Sequence, residues 1–302
     1  RSTPGTGGGG GGGAGATGGS NGTAGTANTG GGGGGGGDSY LGGAGGSGIV
    51  VIRYLSTSVK ATGGTITTYG SGGSQYYVHT FTHVVHTITA NGDVTNTRAV
   101  RKIGDSSIIF DGTGDYLSIP ASSDFDFGTS TDFTIEFWFN AGSQGDTYPS
   151  IMGSGTASWS TNSNVVRIGP NGTNNKLEFY HYSGDGATPM LSSSTVVTDD
   201  AWHHGAIVRD GTDWELFVDG ASEDTYSGTN PDTDLSDNGY LYIGKNGWDG
   251  SDGEYDGYQD EIRISNTARY TSAFTPSTTA FTADANTMLL IHSNWDGGLG
   301  AD

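Results

Sequence analysis

Glycine supplies 57 of the 302 residues, and the excess is concentrated in residues 1–48. Soluble proteins carry about 7% glycine. A stretch without side chains has nothing to bury, so this part of the chain cannot build a hydrophobic core of its own. It contains the runs Gly7–Gly13 and Gly30–Gly37 and has no collagen-like G-X-Y period. Two structures remain for it. One is a flexible linker, the ordinary behaviour of glycine-rich chains. The other is a set of packed polyglycine II helices, with three residues per turn and roughly 3.1 Å rise. Such helices have no internal hydrogen bonds and must bond to one another. Only glycine lets them approach closely enough, and Asn21–Gly22 and Asn28–Thr29 offer places to fold back.

The glycine-rich stretch ends in Gly45-Gly46-Ser47-Gly48-Ile49-Val50-Val51-Ile52-Arg53-Tyr54. This ending resembles the glycine-rich domains of bacteriophage fibres and adhesins, which finish in a similar apolar strand. The resemblance favours the polyglycine reading and implies a phage virion context.

Beyond the head the pattern changes. We divide the chain into a glycine-rich domain at 1–55, a β-rich connecting region at 56–102, a sandwich at 103–292 and a polar tail at 293–302 that leads toward a further domain. In the connecting region Thr65–Tyr69, Tyr76–Thr82 and Val84–Ala90 read as strands, and Asn91-Gly92-Asp93 as a turn. The segment from His86 is expected to supply the first edge strand of the sandwich. Ten short β-rich runs follow between Gly, Asn and Asp turns: Ser107–Phe110, Tyr116–Ile119, Phe133–Phe139, Val165–Ile168, Lys176–Tyr182, Trp202–Arg209, Trp214–Val218, Tyr240–Ile243, Tyr258–Ile264 and Thr287–Ile291. That spacing predicts an all-β sandwich or barrel. Phe133, Ile135, Phe137 and Phe139 alternate, as one buried face requires. A single helical turn is expected near Ser265–Arg269.

Six motifs in order carry a second resemblance. They are Phe110-Asp111-Gly112-Thr113-Gly114-Asp115-Tyr116-Leu117, Asp132-Phe133-Thr134-Ile135-Glu136-Phe137-Trp138-Phe139, Trp202-His203-His204-Gly205-Ala206-Ile207-Val208-Arg209, Leu216-Phe217-Val218-Asp219-Gly220, Gly257-Tyr258-Gln259-Asp260-Glu261-Ile262-Arg263-Ile264 and Ala268-Arg269-Tyr270. Together they resemble laminin G-like domains of the concanavalin A-like superfamily. The resemblance implies a jelly-roll sandwich.

Charge and composition exclude several functions. Twelve Lys and Arg face 32 Asp and Glu, a formal net charge of −20. Phosphate binding needs a positive footprint, so nucleic acid is not an expected partner. No apolar run approaches the roughly 20 residues of a membrane-spanning helix. Cysteine is absent, so stability rests on core burial and metals rather than disulfides. Glycoside hydrolysis needs two carboxylates flanking the scissile bond. The Glu-x-Asp-x-x-Glu motif of related glucanases is missing, and Asp260 and Glu261, being adjacent, are expected on opposite faces of a strand. The chain is therefore read as a binding protein, not an enzyme.

Aspartates cluster in glycine-containing loops, where they serve as ordinary turn residues or as oxygen ligands for calcium. The superfamily resemblance implies a structural calcium between an early loop and the last long strand, which places Asp111, Gly112 and Asp260 as ligands. For glycan binding, exposed rings that stack on sugar C–H faces are the natural candidates. Trp248, flanked by Asn246, Asp249 and Asp252, leads, with Trp159, Tyr180 and Tyr182 beside it. Exposed rings in a fibre equally serve as subunit contacts. His203 and His204 are read as structural. The expected function is a virion-surface or extracellular bacteriophage fibre or adhesin subunit, bound to other virion proteins and to a cell-surface polysaccharide. The resemblance implies a homotrimer. The alternatives are a bacterial secreted adhesin or filament protein and, further off, a polysaccharide hydrolase.

Overall fold

The computed structural model describes residues 5–26, 28–37, 40–46, 50–55, 65–70, 75–81, 86–154, 163–169, 174–182, 190–247 and 253–294. The chain divides into two compact units, Arg1–Val85 and His86–Asp302.

In the first unit the described glycine-rich residues make short passes at 5–8, 12–17, 21–26, 31–36 and 41–46, with turns at 9–11, 18–20 and 28–30. Gly11, Gly19, Asn28 and Gly30 turn the chain in the left-handed region, where glycine and asparagine sit at least cost. The passes bond to one another, and the bonds recur every three residues. Gly13 and Ala16 donate to Gly32 and Gly35, and Gly22 and Gly25 donate to Leu41 and Ala44. Those pairs run parallel. Thr23 and Thr26 donate to Ala14 and Gly11, Gly34 and Gly37 to Thr23 and Ser20, and Gly43 and Gly46 to Gly34 and Gly31. Those pairs run antiparallel. Close approach is what demands glycine here. A Cβ at Gly34 would overlap the Ala14 carbonyl, and one at Gly33 the Gly43 carbonyl, whereas Gly32 and Gly35 face open space.

Three strands complete this unit: β1 (Val50–Leu55), β2 (Thr65–Tyr69) and β3 (Tyr76–Phe81). They form an antiparallel sheet in the order β1-β3-β2. Tyr69 and Tyr76 stack with ring centroids 5.0 Å apart, and Arg53 lies 4.8 Å from the Tyr76 ring.

The second unit is the sandwich. Its strands are β4 (Thr89–Asn91), β5 (Thr95–Thr97), β6 (Ser107–Asp111), β7 (Tyr116–Pro120), β8 (Asp126–Gly128), β9 (Phe133–Ala141), β10 (Ser150–Ser154), β11 (Ser163–Ile168) and β12 (Lys176–Tyr182). They continue with β13 (Leu191–Val196), β14 (Trp202–Asp210), β15 (Asp213–Val218), β16 (Ala221–Ser227), β17 (Thr233–Asp234), β18 (Tyr240–Ile243), β19 (Asp256–Ser265) and β20 (Thr287–Ile291). One sheet runs β13-β12-β11-β10-β18-β7-β4. The other runs β16-β15-β14-β9-β19-β6-β5, with β20 added beside β19. As expected, the segment from His86 contributes to the sandwich edges. It gives β4 to one sheet and β5 to the other.

The core lies between the sheets. Ile135, Phe137 and Phe139 of β9 meet Leu177 and Phe179 of β12 and Trp214 and Leu216 of β15. Trp214 packs edge-on to Phe133 at 5.2 Å and donates its indole N–H to Asn230 Oδ1 at 2.9 Å. Arg209 is fully buried, and its guanidinium donates to the carbonyls of Phe127, Gly128 and Thr131. Burial lowers its pKa, but three carbonyl acceptors leave no donor group stranded.

The alternation in β9 predicts one buried face, yet all nine residues of the strand are buried. The cause is a strap, residues 266–286, laid over the outer face of the larger sheet. Ala268, Tyr270 and Phe274 cover Ala206, Val208 and Phe217, and Phe281 joins Ile103 and Trp138. The helical turn expected near Ser265–Arg269 is not formed. The chain bends at 266–267 as it leaves β19, with Thr134 Oγ1 bonded to the Thr267 carbonyl and the Arg269 amide. Short helical turns occur instead at Ser123–Phe125 and Asp237–Gly239. Among the described residues no helix is long and apolar enough to cross a membrane.

Gly34→Ala is expected to open the glycine-rich passes and Gly35→Ala to leave them intact. Overpacking of this kind costs roughly 1–3 kcal/mol. Amide exchange at Thr23 and Gly43 should therefore accelerate in the first variant only.

Candidate functional site

Two chain crossings between the sheets lie side by side at one end of the sandwich. Asp93 follows Gly92 in the turn from β4 to β5, and Asp111 and Asp115 bracket the turn from β6 to β7. Gly92, Gly112 and Gly114 all adopt positive φ, at 72°, 73° and 78°, which lets both turns bend tightly. Asp115 ties them together. Its Oδ1 accepts from the Asp93 amide at 2.8 Å and its Oδ2 from the Asp111 amide at 3.2 Å.

The carboxylates of Asp93, Asp111 and Asp115 each offer an oxygen within 4.8 Å of the others. Asp115 is buried, whereas Asp93 and Asp111 are exposed. A fourth carboxylate, Asp256 of β19, lies directly across the sheet from Asp111. Burial, and behind it repulsion from Asp111, raises the pKa of both Asp115 and Asp256. Hard oxygen donors crowded at a rim are the donor set that calcium takes.

Of the expected ligands, Asp111 and Gly112 fall in this cluster and Asp260 does not. Asp260 sits four residues along β19 from Asp256, a separation of about 13 Å at strand rise. Its carboxylate is engaged elsewhere, accepting from the amides of Ile103 at 2.9 Å and Lys102 at 3.3 Å and from Ser293 Oγ at 2.6 Å. Burial pushes its pKa up to about 6. The residues that replace it, Asp93 and Asp115, had a readable signal: each closes an Asn-Gly or Asp-Gly turn.

Asp260 and Glu261 also depart from the expected opposite orientations. The register of β19 shifts between Asp260 and Arg263, and Glu261 has φ of 50°. A bulge of this kind inserts one residue and breaks the alternation. Both carboxylates therefore face the covering segments. Glu261 accepts from the Phe281 amide at 2.6 Å and lies 2.7 Å from His292 Nδ1.

Further along the covered face, Glu136 of β9 is fully buried among three partners. Arg263 Nε donates to it at 2.8 Å, Tyr270 Oη at 2.7 Å, and His204 Nε2 lies 3.5 Å away. Burial pulls the Glu136 pKa up, but these partners outweigh it and hold the carboxyl below its usual range. At the rim, His203 lies between Asp219 at 2.7 Å and Asp199 at 3.0 Å. The Asp219 bond leads in raising its pKa. Both histidines thus sit in structural contacts.

Two of the candidate sugar-binding residues are engaged within the fold. Tyr180 is buried, with the Arg167 guanidinium 3.6 Å over its ring, so that a cation covers the surface expected to meet a sugar. Asn246 is buried and donates to Ser150 Oγ at 3.2 Å. Tyr182 ends β12. Trp159, Trp248, Asp249 and Asp252 lie outside the described residues.

Comparison with known proteins places this geometry. Residues 111–273, more than half of the chain, match the family described as the concanavalin A-like lectin/glucanases superfamily. Among solved structures, the chain is similar to domain 4 of AbnA, an extracellular arabinanase from Geobacillus stearothermophilus, in complex with arabinotriose. The identity is 20% over 61% of this chain and 82% of that one, with a TM-score of 0.44. It is also similar to the binding domain of Paraclostridial Mosquitocidal Protein 1, at 12% identity over 61% of this chain and 45% of that one, TM-score 0.44. Domains LG4-5 of the mouse laminin alpha1 chain align at 15% identity over 59% of this chain and 47% of that one, TM-score 0.39. This chain spans less than half of the mosquitocidal and laminin structures. No curated protein sequence matches.

Two of the raised groups, Asp260 and His203, give a signed pH dependence. An acid with a raised folded pKa binds more protons folded than unfolded, so stability falls as pH rises from 3.8 toward about 6 at Asp260. The difference amounts to about 3 kcal/mol. His203, also raised, contributes stability below 6.5 that is lost as pH climbs through its folded value. Melting curves should show the first fall flattened in Asp260→Asn and the second in His203→Gln. An unchanged slope in either variant would reject its assignment.

Proposed function

The chain belongs to the concanavalin A-like lectin/glucanases superfamily, and from that premise we propose that it is a non-catalytic glycan-binding subunit of a bacteriophage fibre or adhesin, displayed on the virion surface. One observation carries the reading. A unit of glycine-rich passes bonded to each other every third residue is joined in one chain to a sandwich whose central strand is buried on both faces. Both halves suit a rigid platform, with polar chemistry left to rims and loops. In this reading residues 5–46 are a packed polyglycine II array, because three residues per turn is the period of that helix.

Attachment is to a cell-surface polysaccharide through the loop ends of the sandwich, including the Trp248 loop. Each contact is weak, and several copies on one fibre raise avidity through effective concentration. A homotrimer, together with other virion proteins, would provide those copies. A bacterial secreted adhesin would use the same physics from a different source.

Calcium fits the rim. Asp93, Asp111 and Asp115 would hold the ion, which would supply positive charge between two sheet crossings and relieve the carboxylate repulsion there. Asp260 has no part in it.

Added calcium should raise the melting temperature by several degrees, EDTA should reverse the gain, and Asp115→Asn should abolish the response. No shift in the wild-type chain would remove the ion from the proposal. For the function itself, the chain should be retained on a host polysaccharide array without releasing reducing ends. Trp248→Ala should weaken that retention while leaving the melt unchanged. Reducing-end release that disappears on changing a single carboxylate would overturn the non-catalytic reading.

A further inference from the structure

At the opposite end of the larger sheet, an open groove of about 350 Å³ lies on the outer surface of β14, β15 and β16. Its floor follows from the strand register. Trp214 and Leu216 of β15 point into the core, so Asp213 and Glu215 between them point outward. Asp213 lies across from Asp210 on β14 and from Ser227 on β16, and Glu215 lies across from Thr225. The result is one row of oxygen groups over three adjacent strands, Asp210-Asp213-Ser227, and a second over two, Glu215-Thr225, with Val208 of β14 in the third place. Asp213 Oδ1 accepts from Ser227 Oγ at 2.7 Å.

One wall is Tyr270, where the strap leaves the groove uncovered. This ring is held on two sides before any ligand arrives. It stacks on Phe274 with centroids 3.6 Å apart and planes 4° from parallel, and its hydroxyl donates to the buried Glu136.

We propose that this groove is a binding site for an uncharged saccharide, one or two sugar units long. The volume lies at the lower end of the range for small-molecule sites. Carboxylates and hydroxyls over three strands match the hydroxyls around a pyranose ring, which donate to carboxylate oxygens, and Tyr270 gives the apolar C–H face a fixed partner. The groove is lined by three acids and no Lys, Arg or His, so it repels sugars bearing carboxylate, sulfate or phosphate. A single metal ion is the poorer occupant. Among the described residues the acids that converge within 4.8 Å are those of the rim, and the groove acids are spread apart. The site is separate from the rim. Arg209, next to Asp210 at the end of β14, pairs with Phe133, whereas Trp202 begins β14 beside Asn140, so the two ends of the strand are roughly 26 Å apart at strand rise.

This inference rests on the glycan-binding reading and extends it to a place and a sugar class. The test is titration of the whole chain, at fixed calcium, with maltotriose, mannotriose, chitotriose and sialyllactose, followed by saturation-transfer NMR. At least one neutral trisaccharide should bind the wild-type chain. Asp213→Asn with Glu215→Gln should weaken it at least tenfold, about 1.4 kcal/mol. Sialyllactose should bind least. Equal neutral-sugar affinity in the double variant, preference for sialyllactose, or no neutral sugar bound would each overturn the groove. Binding lost in Asp115→Asn but kept in the double variant would place the sugar at the rim, overturning this site while sparing the lectin reading.

Discussion

A peptide group taken out of water must find a partner, and both units of this chain are organised by that requirement. In the first unit the passes are mostly glycine, with few side chains to shield them. Their amides and carbonyls meet directly, and the contact is so close that a single added methyl at Gly33 or Gly34 would collide with a neighbouring carbonyl. In the second unit the sheets satisfy most of their own backbone. What they leave open is met by buried carboxylates, which accept from the amides of segments that have no strand of their own.

The larger sheet shows this most clearly. Asp260 receives the amides of Lys102 and Ile103, and Glu261 that of Phe281. Together they fasten the chain entering the sheet and the strap leaving it. A plain strand could not present two adjacent side chains to one face, so the bulge at Glu261 is what makes the arrangement possible. The open edges use the same device. Glu223 and Asp224 of β16 accept from the amides of Ser194 and Ser192 in β13, which closes strand edges that would otherwise template pairing with another chain. Acidity in this protein is thus in large part a backbone-binding resource.

Much of the fold was legible in the residues. Lys176–Tyr182, Tyr240–Ile243 and Thr287–Ile291 fall where alternation and turn residues place them, and the other seven expected runs differ by a residue or two at their ends. Two of the missed strands share a cause. β13 (Leu191–Val196) and β16 (Ala221–Ser227) are sheet edges rich in Ser, Thr and acid, so no apolar rhythm marks them. The double burial of β9 was hidden because it depends on a strap more than a hundred residues away. The rim was half legible. Asp111 and Gly112 were readable from their motif, but which residue of β19 faces them depends on register, and a shift of four positions separates Asp256 from Asp260.

The three-residue recurrence of bonds in the glycine-rich unit makes its dimensions modular. Adding three residues to each pass would lengthen it by about 9 Å and return every donor to its former azimuth. Adding one would rotate the following donors by a third of a turn, away from their acceptors. Lineages with such a glycine-rich unit should therefore vary in its span by whole turns, and its length could change without any change in the sandwich.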